Sequence, residues 1–248
     1  MDRSNNNPKK IIIFGATGNV GRALVQAGLR HRYQISVFVR NEAKLRDIFG
    51  GVVPVEIGLH VGDALDPAAV ADAIHGHEGL VTAVGGNDSR IFHRTCKNIV
   101  TGAEKHLIQA RRIWVMGGLP GLDVPHTKIM GTDLPFMPSL FRTHRLNYDI
   151  LKKTDLDWSF VCPGPMFFSG QPGNADELRV TIDEMPYSVA PWTQFLPRIA
   201  HPFIMMAHLN GIAIPYEDLA DFIMVNFTAN NQYSKKRIGL ARKVPLSS

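Results

Sequence analysis

The residues of this 248-residue chain best placed to do chemistry are Gly15, Gly18 and Gly21, set two residues apart in Gly15-Ala-Thr-Gly-Asn-Val-Gly21. An apolar run, Ile11-Ile-Ile-Phe14, leads into them, and Val20, Leu24 and Val25 follow at helical spacing. Strand, glycine turn and helix in that order are what a dinucleotide pyrophosphate requires. The first glycine permits the tight turn, and the second lets the backbone approach the phosphates. The third lets the helix pack close, with its N-terminal amides aimed at the anion. Thr17, Asn19 and Val20 complete the loop. Nucleotide binding is the expectation, against a purely structural turn.

Cofactor choice would fall to Arg40, at the end of Val37-Phe38-Val39-Arg40 and nineteen residues beyond Gly21. An acidic side chain usually sits here to hold ribose hydroxyls. A guanidinium can instead pair with a 2′-phosphate and stack on adenine, so NADP(H) is favoured over NAD(H). Glu42 should lie in the following turn, solvated. Asp63, after the third strand, could accept the adenine amino group or simply form a turn. His75-x-His77 lacks a carboxylate or Cys at metal-ligand spacing, so it reads as a helix end and no metal is expected.

These residues need a scaffold. Short apolar runs alternating with amphipathic helices predict an α/β, doubly wound parallel sheet. Strands are expected over residues 10–14, 34–39, 55–61, 79–84, 112–116 and 158–162, with a closing strand over 237–241. Helices are expected over 20–31, 67–75, 90–106, 139–154 and 216–226. Asp66 should cap the second of these, with Pro67 in its first turn. Ile91, Thr95, Ile99, Ala103 and Leu107 should form the core face of the 90–106 helix. A single domain spans 1–248, with 9–165 as cofactor-binding core and 166–248 as substrate or lid region and closing elements. The first ten residues are polar and read as a disordered tail.

Bulk properties exclude several classes. Formal charge is +5 and the pI about 9.3, but the basic residues are scattered, so the pattern indicates a solvated surface rather than nucleic-acid binding. No apolar run reaches membrane-spanning length. Two cysteines, Cys96 and Cys162, without metal or disulfide spacing suggest a reducing, cytoplasmic setting.

Gly15-Ala-Thr-Gly-Asn-Val-Gly21, Val39-Arg40-Asn41, Gly62-Asp63-Ala64 and Asp157-Trp-Ser-Phe-Val-Cys-Pro163-Gly164 together resemble the atypical short-chain dehydrogenase/reductase family. The nearest branch is the NAD(P)H-binding, NmrA-like group that includes the flavin/biliverdin-IXβ reductases. Ile214-Pro-Tyr-Glu-Asp-Leu-Ala220 is similar to that group's late helix start. The resemblance implies a Rossmann fold, a nicotinamide cofactor and hydride transfer. It also implies that Asp63 and Ala64 lie by adenine, that Ala83, Val84 and Gly85 line the cofactor ribose, and that Pro163 and Gly164 approach the nicotinamide.

The departures bear on mechanism. Where active dehydrogenases carry a Ser after the fifth strand, this chain has Gly117-Gly118. Tyr148-Asp-Ile-Leu-Lys152 spells the Tyr-x-x-x-Lys motif, but only fifteen residues separate Tyr148 from Pro163. In the register of the compact group, Leu140 and His144 occupy the Tyr and Lys positions. Tyr148 and His144 are therefore candidate proton donors, each with a competing role in packing. Hydride delivery to a conjugated acceptor could take its proton from water. Two readings follow: an NADP-dependent oxidoreductase acting on a small hydrophobic or aromatic substrate, or a non-catalytic dinucleotide sensor. Met166 and Phe167 after the sixth strand, with Trp192 and Phe195, are the expected substrate-facing residues. The apolar stretch 186–211 holds four prolines, which should prevent one continuous helix. It reads as a lid, with a homodimer face as the alternative.

Overall fold

The computed structural model describes residues 10–135, 137–195 and 197–243, so most of the expected N-terminal tail lies outside it. Its sheet begins with β1 (Lys10–Phe14), a strand apolar on both faces. Ile11 and Ile13 join one core cluster, Ile12 and Phe14 the other, and all four are fully buried. Such burial contributes on the order of 1.5–3 kcal/mol per side chain, which explains why the run shows no polar alternation.

Around β1 the chain alternates β2 (Gln34–Val39), β3 (Gly58–Val61), β4 (Gly79–Thr82), β5 (Arg112–Met116) and β6 (Asp157–Pro163) with α1 (Asn19–Arg30), α2 (Glu42–Ile48), α3 (Pro67–Ile74), α4 (Ser89–His106) and α5 (Ser139–Leu151). The C-terminal part adds β7 (Met166–Phe167), β8 (Leu178–Ile182), α6 (Pro197–His208), β9 (Ile214–Pro215), α7 (Tyr216–Val225) and β10 (Lys236–Arg242). The main sheet runs β3-β2-β1-β4-β5-β6-β10-β8, parallel except for β8, which pairs antiparallel with β10. The α/β doubly wound expectation is met. One face is covered by α1, α2 and α7, the other by α3, α4 and α5. The chain reverses direction across the sheet between β1 and β4, so their C-terminal ends form the crevice where ligands of such sheets bind.

Several expectations need correction. Residues 55–57 form a turn with Val55 95% exposed, so the third strand starts only at Gly58. Glu42, expected in a turn, opens α2: Asn41 caps the helix by accepting from the Lys44 amide at 3.2 Å, and Glu42 pairs with Arg46 at 2.6 Å. Ile91 is 52% exposed, whereas Thr95, Ile99, Ala103 and Leu107 are buried. Residues 186–211 do not form one helix, yet Pro202 sits inside α6, so that helix forgoes one backbone hydrogen bond.

Two buried arginines tie the strands that carry the site. Arg112, fully buried, bonds Asp157 at 3.0 Å and Ser159 Oγ at 2.6 Å, locking β5 to β6. Arg237 on β10 grips both oxygens of Asp123 at 2.7 and 2.8 Å, and reaches Asp183 at 3.1 Å. It thereby pins the excursion that leaves β5.

Candidate functional site

The turn after β1 is built around its glycines. Gly15 has φ +84°, and a Cβ there would lie 2.8 Å from the Ala83 backbone at the end of β4. A Cβ on Gly21 would lie 2.0 Å from the Gly15 carbonyl oxygen, so α1 sits directly on the turn. Gly18 differs, since the nearest atom to a Cβ there is the Gly15 oxygen at 3.4 Å, an ordinary contact. The fold tolerates a side chain at Gly18; what it would obstruct is the space in front of the loop. Helix α1 starts without a side-chain cap and without an acidic residue in its first turn, leaving the positive end of its dipole for an anion.

In front of this loop lies a cleft of about 440 Å³. Its floor is the Phe14–Phe38 ring pair, with centroids 4.8 Å apart. Gly15, Thr17, Gly18, Arg40, Asp63, Ala64, Ala83, Val84 and Gly85 all line it. The sequence reading missed Lys44, Leu65, Gly86, Asn87, Asp88, Ile91, Phe92 and Thr95, which line it too. Lys44, in the first turn of α2, comes four residues after Arg40, and the capped start of α2 was the signal that could have revealed it. Asp63 Oδ1 accepts from the Leu65 amide at 2.9 Å, so this carboxylate forms a turn at the cleft edge.

Other candidates fall outside that lining. Asn19 bonds Arg22 at 2.8 Å and the Tyr216 hydroxyl at 3.3 Å. Val20 is half-buried against the core and Gly21, within α1, is buried against the Gly15–Ala16 turn. Pro163 ends β6, and Gly164 faces Ile212, 3.0 Å from its would-be Cβ. Met166 and Phe167 form β7, paired with Ile214 and Pro215. Trp192 and Phe195 are 61% and 77% exposed and do not line the cleft.

The proton-donor candidates are set on α5, one turn apart. His144 packs against Gly118, whose Cβ would stand 2.9 Å from Nε2, and meets the Phe92 ring edge-on at 5.5 Å. Its Nδ1 is buried without a partner, and burial pushes its pKa down to about 4. The imidazole is therefore neutral at physiological pH and poorly suited to supply a proton. Tyr148 is half-buried, its ring stacked on Phe160 and edge-on to Trp158, both at 5.8 Å. The Arg237 guanidinium is 5.1 Å from that ring and the Lys152 ammonium 4.8 Å. Burial raises the phenol pKa, the reverse of an activated tyrosine, and Lys152 pairs with Asp149 at 2.8 Å. The missing Ser is equally built in. A Cβ on Gly117 would stand 2.7 Å from the Phe160 ring and 2.8 Å from Cys162 Sγ.

Among the described residues no helix is long and apolar enough to cross a membrane, and no cluster of His, Cys, Asp or Glu could hold a metal. Cys96 and Cys162 are free and buried.

Residues 15–184 match the family model for NAD(P)H-binding proteins. Solved structures share the fold at low identity. An anaerobillin reductase, ChuY, from Escherichia coli is 16% identical over 96% of this chain and 100% of its own, with a TM-score of 0.65. A proposed NADH-flavin reductase from Streptococcus pneumoniae is 18% identical over 95% of this chain and 100% of its own, with a TM-score of 0.68. A short-chain dehydrogenase/reductase from Veillonella parvula is 14% identical over 95% of each chain, with a TM-score of 0.66. With its glycine-loop cleft and Rossmann sheet, the chain belongs to the NAD(P)H-binding family, and its cofactor is a nicotinamide dinucleotide.

Proposed function

We propose that the chain is an NADPH-dependent reductase passing hydride to a small conjugated or aromatic acceptor, with water as the proton source. The observation that carries this reading is that Arg40 and Lys44 share one cleft with the glycine loop, while no acidic side chain stands at the end of β2. Two cations there suit a 2′-phosphate, and a ribose diol alone would leave them without an anionic partner. Bound NADPH supplies the hydride. The chain's part is to hold the pyrophosphate on the α1 amides and to place the nicotinamide end towards Gly85 and Gly118. Neutral His144 and stacked Tyr148 suit acceptors that need no dedicated acid, such as flavins or biliverdin-type molecules. Trp192 and Phe195 would close over such an acceptor.

The packing of Tyr148 and Gly117 equally favours a second reading, a dinucleotide-binding sensor that turns nothing over. One assay separates the two: NADPH oxidation followed through its nicotinamide absorbance, with FMN and with biliverdin. Enzyme-dependent oxidation with either acceptor supports the reductase. Tight NADPH binding without turnover of either favours the sensor.

A further inference from the structure

The turn that leaves β3, residues 62–66, borders one end of the dinucleotide cleft, where Asp63, Ala64 and Leu65 are part of the lining. The strand order β3-β2-β1 tells which end this is. A pyrophosphate sits at the C-terminal end of β1, and a 2′-phosphate would meet Arg40 at the end of β2. The next space along the sheet, at the end of β3, then falls to the adenine ring.

This turn is held in three ways. Its start is fixed to β2, because the Gly62 amide donates to the Val39 carbonyl at 3.0 Å. A Cβ on Gly62 would lie 2.9 Å from the Phe38 ring, so the backbone rests directly on the cleft floor. Within the turn, the Leu65 amide donates to Asp63 Oδ1 and the Asp66 amide to the Asp63 carbonyl, both at 2.9 Å. The third tie comes from α4, where Asn98 Nδ2 donates to the Ala64 carbonyl at 3.1 Å. Among the described residues it is the one hydrogen bond that reaches residues 63–65 from outside the turn.

Close packing and helical phase bring Asn98 there. One turn further on, a Cβ at Gly102 would stand 3.1 Å from the Val70 and Ile74 side chains of α3, so the two helices lie tightly together. Ile91, Thr95 and Asn98 recur at i, i+4 and i+7 on α4. The first two line the cleft, and the third, outside the lining, holds the turn. Asparagine is a poor helix former, so propensity does not favour it in the middle of this helix. Both partners are half-buried, and water could satisfy the Ala64 carbonyl in place of the amide. What the amide adds is a fixed position for the cleft wall.

We propose that Asn98 is a positioning residue for the adenosine half of the dinucleotide: by holding the Ala64 carbonyl it fixes the slot between the 63–65 turn and α4 in which adenine lies. A wall set in advance spares the ligand the cost of ordering it. The proposal rests on the dinucleotide reading of the cleft and adds to it a determinant that does not touch the ligand.

Calorimetric titration of the whole chain with NADPH and with 2′,5′-ADP tests it, alongside inorganic pyrophosphate measured by its displacement of NADPH. Asn98→Leu removes the donor and should weaken NADPH and 2′,5′-ADP by the same factor, about fivefold, because the change is confined to the half they share. Pyrophosphate has no adenine and should bind the variant and the unaltered chain within about twofold of each other. A variant that merely loosened the glycine loop would lose all three. Asn98→Gln keeps an amide donor and should bring the loss back to about twofold. The proposal is overturned if Asn98→Leu leaves 2′,5′-ADP affinity within about twofold of the unaltered chain, or weakens pyrophosphate as much as 2′,5′-ADP. It is equally overturned if Asn98→Gln binds 2′,5′-ADP no better than Asn98→Leu. Each of these results leaves binding by the unaltered chain standing. An unaltered chain that binds neither NADPH nor 2′,5′-ADP would instead overturn the dinucleotide reading, and the proposal with it.

Discussion

Replacing Arg40 and Lys44 together by glutamine should erase most of the preference for NADPH over NADH. Both side chains reach the cleft from exposed positions, so their charges act through partly screened solvent. A charge-assisted guanidinium–phosphate contact is worth about 1.5–3 kcal/mol, and exposure argues for about 1.5. A lysine acting as a point charge in a similar setting adds about 0.5 kcal/mol. The sum of about 2 kcal/mol corresponds to roughly a 30-fold fall in the NADPH-to-NADH affinity ratio. Because NADH lacks the 2′-phosphate, the change should appear almost wholly in the NADPH dissociation constant. Arg40→Asp should go further by repelling the phosphate and offering the ribose diol an acceptor. Calorimetry with both dinucleotides at low and at about 0.5 M salt is the measurement, and the preference of the unaltered protein should shrink with salt. A ratio that moves less than about twofold in the double variant would refute the 2′-phosphate assignment.

Gly18→Val should abolish dinucleotide binding while leaving the thermal midpoint nearly unchanged, because the fold has room for a Cβ there and a bound pyrophosphate does not; calorimetric binding retained by a folded variant counts against the site. Tyr148→Phe should cost less than about tenfold in turnover, since the ring packs on Phe160 and Trp158 and burial raises its phenol pKa. A collapse of several orders of magnitude at unchanged NADPH affinity would restore Tyr148 as proton donor. Burial pushes His77 down to about 4, with Lys10 contributing, so the unfolded chain binds a proton there that the folded chain does not, between pH 6.5 and about 4. Stability should be fully present above 6.5 and fall as pH drops through that window, by about 3 kcal/mol at most from His77. His144, lowered to the same value, adds to the trend. Urea unfolding at pH 7 and 4.5 should show a smaller acid loss in His77→Leu; an equal loss in both proteins would remove His77 from the account.

The sequence was most legible where one local rule acts alone. Ile11–Phe14 reads as a strand buried on both faces, and Gly15 and Gly21 each answer a distinct steric demand that the backbone displays. Arg40 and Asp63 were readable because strand ends in this fold point at one crevice. Elements that depend on partners far along the chain were harder. The two-residue strands β7 and β9 exist only by pairing with each other, and no periodicity marks two residues. β8 was missed although Leu178-Arg-Val-Thr-Ile182 alternates as an edge strand should, and α2 was missed although Asn41 offered it a cap. Ile91 kept helical spacing with the core residues, yet the helix opens beside the cleft, where that face has no sheet beneath it. Lys44 depended on α2 being recognised first.

The loss of the usual dehydrogenase residues is a property of the packing and not of single positions. Phe160 occupies the volume that a side chain at Gly117 would need, with Cys162 Sγ on its other flank. Tyr148 then stacks on Phe160, and Arg237 lies over Tyr148 while it holds Asp123 and Asp183. Each group is the reason the next is where it is. A serine placed at position 117 would have to displace an aromatic ring from a close-packed core, where interior atoms have little room to yield. Freeing the Tyr148 phenol would strip a cation–π partner from an arginine that anchors the loop leaving β5. A proton-donating tetrad therefore cannot be restored here by exchanging one residue. An acceptor that takes its proton from water, as proposed above, asks for no such rearrangement.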